Sequence, residues 1–152
     1  MAELRSEFLA KIHAELQEPL ALVGTPRGVR QIYNIVGGTF EGPRVKGVVL
    51  PGGADWMVLR PDGVAELDVR ATVRTDDGEF VYTFYRGVLR ASPEIMLRIA
   101  QGEAVDPSTY YFRTTPVFET GSEKYGWLNS VVAVGVGSAG ANWVEYDVFA
   151  IL

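Results

Sequence analysis

Two short turns, Pro61-Asp62-Gly63 and Asp76-Asp77-Gly78, constrain this chain more than any other feature. Each fits a three-residue hairpin loop: a type I turn, then a glycine in the left-handed region, where a missing Cβ removes the steric penalty. The runs around them, DWMVLR, VAELDVRATVRT and EFVYTFYRGVLR, alternate polar with apolar and favour β-branched and aromatic residues. They specify a three-stranded antiparallel meander over residues 55–89. A hairpin turn fixes register, so pairing follows. Thr75 faces Glu79, Thr72 faces Tyr82, Arg70 faces Phe84, Asp68 faces Arg86 and Trp56 faces Asp68.

Side chains alternate across a strand. One face of the meander therefore carries Trp56, Val58, Glu66, Asp68, Arg70, Thr72, Phe80, Tyr82, Phe84 and Arg86. The other carries Met57, Leu59, Ala65, Leu67, Val69, Ala71, Val73, Val81, Thr83, Tyr85 and Leu89. The second set is apolar and must be covered, by a core or by a partner. The first mixes aromatics with charges of both signs, which is how ligand pockets are composed. A half-exposed antiparallel sheet alternates in the same way. Asp68–Arg86 would then be a surface pair worth at most about 1 kcal/mol. Four aromatics close together speak for contact rather than bare solvent, either as the lining of a cavity or as a protein interface.

Turn signals separate further short runs. Residues 29–36 and 44–50 read as strands, with 24–28 a loop, Gly37-Gly38 a break and Pro51-Gly52-Gly53 an end. Residues 110–119 read as a strand interrupted by Pro116, and 129–136 and 143–152 as the last two. The opening stretch 6–16 fits a helix or a strand equally. Residues 92–101 read as a short helix, with Ser92 as cap, Pro93 at the first helical position and Gly102 beyond its end. About nine strands and one helix in 152 residues specify one all-β domain over 1–152, a sandwich or a barrel, with closure or double layering expected from the strand number.

Composition removes whole chemistries. The chain has no cysteine, so disulfides and thiolate sites are excluded. Its one histidine, His13, cannot supply a zinc site of usual composition and is expected to be a bystander. No metal and no cofactor is expected; GGTFEG and PGGADW lack the ending and context of a phosphate-binding loop. A net charge of −5, from 14 basic and 19 acidic residues, argues against nucleic acid. No run of 18 apolar residues suits a membrane helix, and MAELRSEF is no secretion signal, so the expected location is cytoplasmic.

The remaining polar candidates are Arg113, in mid-strand, and the segment FETGSEKYGWLN. Arg113 matters if it converges with Arg70 and Arg86, because the guanidinium fork binds oxyanions bidentately. In the segment, Glu119, Tyr125, Trp127 and Asn129 could fix a ligand. Equally, Tyr125 and Trp127 could be core plugs and Asn129 the tie of a structural corner. The leading expectation is a small-molecule-binding barrel. It would hold an aromatic or apolar acid or carbonyl compound against Trp56, Tyr82 and Phe84, with Arg70, Arg86 or Arg113 on its oxygen and Asp68, Tyr125, Trp127 and Asn129 completing the lining. The alternative is a cofactor-independent lyase, isomerase or cyclase in the same cavity, with Asp68 or Glu119 as a base raised by burial and Tyr82 or Tyr125 as the acid. A homodimer burying an apolar face is the third reading.

The segments TPRGVRQIYNIVGGTFEGPRVKGVVLPGGADW, RPDGVAELDVRATVRTDDG and YYFRTTPVFETGSEKYGWLN, in that order, resemble domain-of-unknown-function family 3237, small proteins mainly of bacteria and fungi. The resemblance runs from about Thr25 to the C-terminus. It implies a closed antiparallel barrel of lipocalin-like or streptavidin-like shape and no settled activity. The family's recurring positions fall on Gly38, Phe40, Gly42, Gly52, Gly53, Asp55, Trp56, Asp68, Arg70, Gly78, Arg113, Pro116, Phe118, Glu119, Trp127, Leu128 and Asn129. Two departures stand out: the longer SEFLAKIHAELQ at the start, and SPEIMLRIAQGEAVDPS, whose helix could lid one barrel mouth.

Overall fold

In the computed structural model, which describes residues 1–152, the chain forms eleven strands and one α-helix. The strands are β1 (Ser6–Leu16), β2 (Leu20–Thr25), β3 (Gly28–Glu41), β4 (Lys46–Val49), β5 (Ala54–Leu59), β6 (Ala65–Thr75), β7 (Phe80–Arg90), β8 (Tyr111–Thr114), β9 (Val117–Glu119), β10 (Ala133–Ala139) and β11 (Trp143–Ile151). The helix α1 (Pro93–Ala100) lies between β7 and β8. All pairings between strands are antiparallel, and they close a barrel of eight staves. Two staves are broken. β4 and β5 share the gap between β3 and β6, and β8 and β9 lie along β7 on either side of Pro116.

The meander forms in the register its turns dictate. Asp68 pairs with Arg86, Arg70 with Phe84 and Thr72 with Tyr82. Gly63 and Gly78, the turn glycines, both adopt φ 87°. The helix starts as expected: the Ser92 side chain accepts from the Ile95 N–H, and Pro93 opens the first turn. The opening stretch resolves as strand, because β1 is needed to join β3 to β11 and close the wall.

The 110–119 run is interrupted at Pro116 as expected, giving β8 and β9 on either side of it. Three readings need correction. β2 was not expected. Strand β3 runs through Gly37-Gly38 instead of breaking there. At Gly38 (φ 155°) a Cβ would come 1.9 Å from the His13 carbonyl oxygen, so glycine permits a close approach of β1. Lastly, Asn129 and Ser130 belong to a 3₁₀ turn (Gly126–Ser130), and β10 starts only at Ala133.

The apolar face of the meander points inward. Leu67, Val69, Ala71, Val73, Val81, Tyr85 and Leu89 are all buried, together with Phe40, Phe112, Tyr146 and Val148 from the other staves. The lumen at this level is therefore a packed core. Helix α1 adds Ile95, Met96 and Ile99 to it. No helix is long and apolar enough to cross a membrane.

Candidate functional site

The mixed face of the meander is the outer wall. Because Leu67 and Val69 take the interior, their neighbours Asp68 and Arg70 must point out. Arg70, Phe84 and Arg86 are exposed, and Trp56, Asp68 and Tyr82 are half-buried. The expected cavity inside the barrel is thus replaced by a groove on its outer surface, of about 1710 Å³. Trp56, Asp68, Arg86 and Arg113 all line it, so Arg113 shares a groove with Arg86 but not with Arg70. Arg70 is not among its walls but lies over the Trp56 ring, 5.6 Å from the centroid.

Six of the chain's eleven arginines line the groove: Arg27, Arg30, Arg60, Arg86, Arg90 and Arg113. Three carboxylates, Asp62, Glu66 and Asp68, stand with them. Arg60 is committed to Asp62 and Glu66. Arg30 donates to the Trp56 carbonyl oxygen at 2.7 Å, and Arg113 to the Phe112 carbonyl at 2.8 Å. Arg90 and Arg113 both lie 4.9 Å from the Tyr111 ring centroid. Arg86 faces Asp68 across the ladder but forms no ion pair with it, and Arg90 has no acidic partner either. Arg27, Arg86 and Arg90 thus have no acidic partner, and the last two share the outer face of β7, with Arg90 over the Tyr111 ring. Arg27, Arg30, Arg60 and Arg90 escaped the sequence reading. Arg30 reaches the groove through its pairing with Val58, a contact between non-adjacent elements that no hairpin turn specifies.

The other expected lining residues lie elsewhere. Tyr82 and Phe84 continue along β7 away from the groove, their rings 5.9 Å apart, and Glu119 pairs with Tyr82 on the same outer wall. Tyr125, Trp127 and Asn129 sit at the far end of the barrel, by the 76–78 turn. The Tyr125 ring is buried, and its hydroxyl donates to Asp77 at 2.8 Å. Trp127 lies under the Arg44 guanidinium at 3.7 Å, and Asn129 bonds both the N–H and the carbonyl of Thr120. This is the structural corner, formed because a chain reversal after β9 needs its backbone groups tied down.

The catalytic candidates also need correction. Glu119 is exposed and Asp68 half-buried, so neither has the burial that the base was expected to use. The buried carboxylate is Asp55, 7% exposed, on the inward face of β5. Burial pushes its carboxyl up to about 7, against a hydrogen bond from the Asp68 backbone N–H. It shares the interior with three phenols. Tyr33 is its pair on β3; Tyr85 and Tyr146 pack edge-to-face at 5.2 Å. Burial raises all three, and the Asp55 charge adds to the effect. The sequence signal for Asp55 was its position, one residue out of phase with Trp56.

The fold defines the class, a closed antiparallel β-barrel. The chain belongs to the family described as protein of unknown function (DUF3237), whose model matches residues 4–151. It is similar to a UPF0311 protein of Rhodopseudomonas palustris, 36% identical over 149 residues and covering 98% of this chain and 97% of the relative. The crystal structure of the R. palustris protein matches with a TM-score of 0.95 over 100% of both chains. A β-barrel-like protein from Acinetobacter baumannii superposes with a TM-score of 0.86 at 40% identity, covering 100% of this chain and 98% of the other. A UPF0311 protein of Clostridium acetobutylicum is 39% identical over 134 residues, 87% of this chain and 84% of the relative.

Proposed function

We propose that the protein binds a small aromatic acid in the outer groove. The carboxylate is taken by Arg86 and Arg90, and the ring packs against Tyr111 and Trp56. The observation that carries this reading is the pair of free guanidinium groups, Arg86 and Arg90, on the outer face of one strand beside the Arg113–Tyr111 stack. On a chain of net charge −5, six arginines against three carboxylates make the groove a local positive field, which draws in anions. A free guanidinium fork donates two parallel hydrogen bonds to a carboxylate, and aromatic walls add apolar contact. The groove also has room for a longer ligand than a single ring.

Calorimetric titration with an aryl carboxylate, its methyl ester and its primary amide tests this. The acid is expected to bind, and the two neutral analogues at least tenfold more weakly. Charge reversal in the double variant Arg86→Glu with Arg90→Glu should abolish binding of the acid. Equal binding of acid and ester would end the proposal.

Phe80, Phe84 and Val117 form an exposed apolar strip on β7 and β9, 59%, 43% and 44% exposed. That strip favours a second reading, in which two copies of the chain pair through it. Sedimentation of Phe84→Asp against the parent chain separates a dimer from a monomer.

A further inference from the structure

Strand β5 turns Asp55, Met57 and Leu59 to the face opposite the groove, toward the barrel interior. Along the inward faces of β3 and β5, residues deep in the barrel are sealed, as at Ile35 (3% exposed). Toward the end that carries the 61–63 turn the same faces open: Val29, Gln31, Tyr33, Met57 and Leu59 point inward and are only half-buried. Strand β2 flanks this mouth, its Val23 81% exposed. Asp55 sits at the base of the mouth.

The ladder between β5 and β6 is interrupted at the same level. Asp55 pairs with Val69 and Val58 with Glu66, but the two positions between them are unpaired. The Asp68 N–H donates to Asp55 Oδ1 at 3.1 Å instead. Oδ2 accepts no hydrogen bond. The one fully sealed side-chain polar atom without a partner is the Tyr146 hydroxyl, so Oδ2 touches accessible space. An interior bracket needs one oxygen; the second is a free acceptor at the foot of an apolar opening bordered by Tyr33, with Tyr85 and Tyr146 sealed in the core behind it. The charged and titratable groups around it are Arg30 and Tyr33 from β3, Asp68 from β6, Tyr85 from β7 and Tyr146 from β11.

We propose that Asp55 is a general base in the barrel mouth, acting on an uncharged, enolisable aryl ketone. Its Oδ2 takes a proton from the carbon next to the carbonyl. That C–H bond breaks, a C=C bond forms and the carbonyl π pair moves onto oxygen, where the Tyr33 hydroxyl donates a hydrogen bond. Asp55 then returns the proton to the same carbon or to a conjugated one, so exchange or isomerisation needs no oxidant, reductant or co-reactant. The ligand class follows from the lining: Val29, Met57 and Leu59 are apolar, and a buried carboxylate repels an anion. A carboxyl raised by burial is a base suited to neutral pH. This site is independent of the arginine groove and stands or falls separately.

The test is α-proton exchange of 1-tetralone in D2O, followed by NMR with the intact chain. The parent protein should accelerate exchange over buffer, by about 10²–10⁴-fold for one positioned base. Asp55→Asn keeps an oxygen for the Asp68 N–H but no base, so it should lose at least 100-fold while its melting temperature holds or rises. Asp55→Glu should restore part of the rate. Tyr33→Phe should lower it about tenfold, and His13→Gln should leave it intact. Exchange no faster than in buffer, or undiminished in a folded Asp55→Asn, would overturn the proposal.

Discussion

The side chain of Asp55 takes the place of a missing rung between two strands: its Oδ1 accepts the backbone N–H of Asp68 at 3.1 Å, where β5 and β6 leave two positions out of their ladder. A buried N–H left without an acceptor costs about 1–3 kcal/mol. At pH 5, where the carboxyl is neutral, Asp55→Ala should therefore lose about that much in urea unfolding. Asp55→Asn, which keeps the acceptor, should lose under about 1 kcal/mol. Equal losses would show that the bracket contributes nothing.

The same residue sets a pH dependence of unusual sign. Its folded value of about 7 lies above the ordinary 3.8, so the folded chain holds a proton that the unfolded chain has released. Stability then falls as pH rises between about 4 and 7, by up to about 1.4 kcal/mol per unit, and levels off above 7. Urea midpoints at pH 5 and 7.5 should show Asp55→Asn gaining on the parent as pH increases. Parallel curves would refute the assignment.

His13 contributes a smaller effect. Burial pulls its imidazole down, but hydrogen bonds to Glu15 and Glu145 outweigh that and raise it. Its stabilisation is present below the ordinary 6.5 and is lost as pH rises through the raised folded value. The side chain is 27% exposed, so the effect should stay under about 1 kcal/mol. An NMR titration of His13 at or below 6.5 would contradict this.

The legible part of the molecule was local. Hairpin turns and period-two alternation carried the meander, its register and the split into two faces, because both are encoded in adjacent residues. Which face lay inside was not encoded there. It depends on closure between β1, β3 and β11, which joins segments far apart in sequence. That closure moved Trp56, Asp68, Arg86 and Arg113 from an expected lumen to an outer groove. It also separated Tyr125, Trp127 and Asn129 from them. Asp55 was hidden for a related reason: by phase it belonged to the apolar set, and a single carboxylate among aliphatics carries no periodic signal.

The Tyr146 hydroxyl is buried and meets no partner in hydrogen-bond geometry, although the Tyr85 phenol lies close enough to interact with it. Removing an unsatisfied buried group is neutral or stabilising. Tyr146→Phe should hold or raise the melting temperature, whereas Phe112→Ala, beside it in the core, should cost about 3–5 kcal/mol. A marked loss in Tyr146→Phe would mean that the hydroxyl has a partner in solution.

Three tryptophans mark three places on the barrel: Trp56 in the groove, Trp127 in the corner at the far end, and Trp143 stacked on His13 outside β1. A ¹H–¹⁵N spectrum therefore offers three indole N–H signals as position markers. Titration with an aryl carboxylate should shift the Trp56 signal in a saturable, salt-sensitive way and leave the other two in place. Movement of Trp127 or Trp143 instead, or of none, would contradict a binding site on the outer wall.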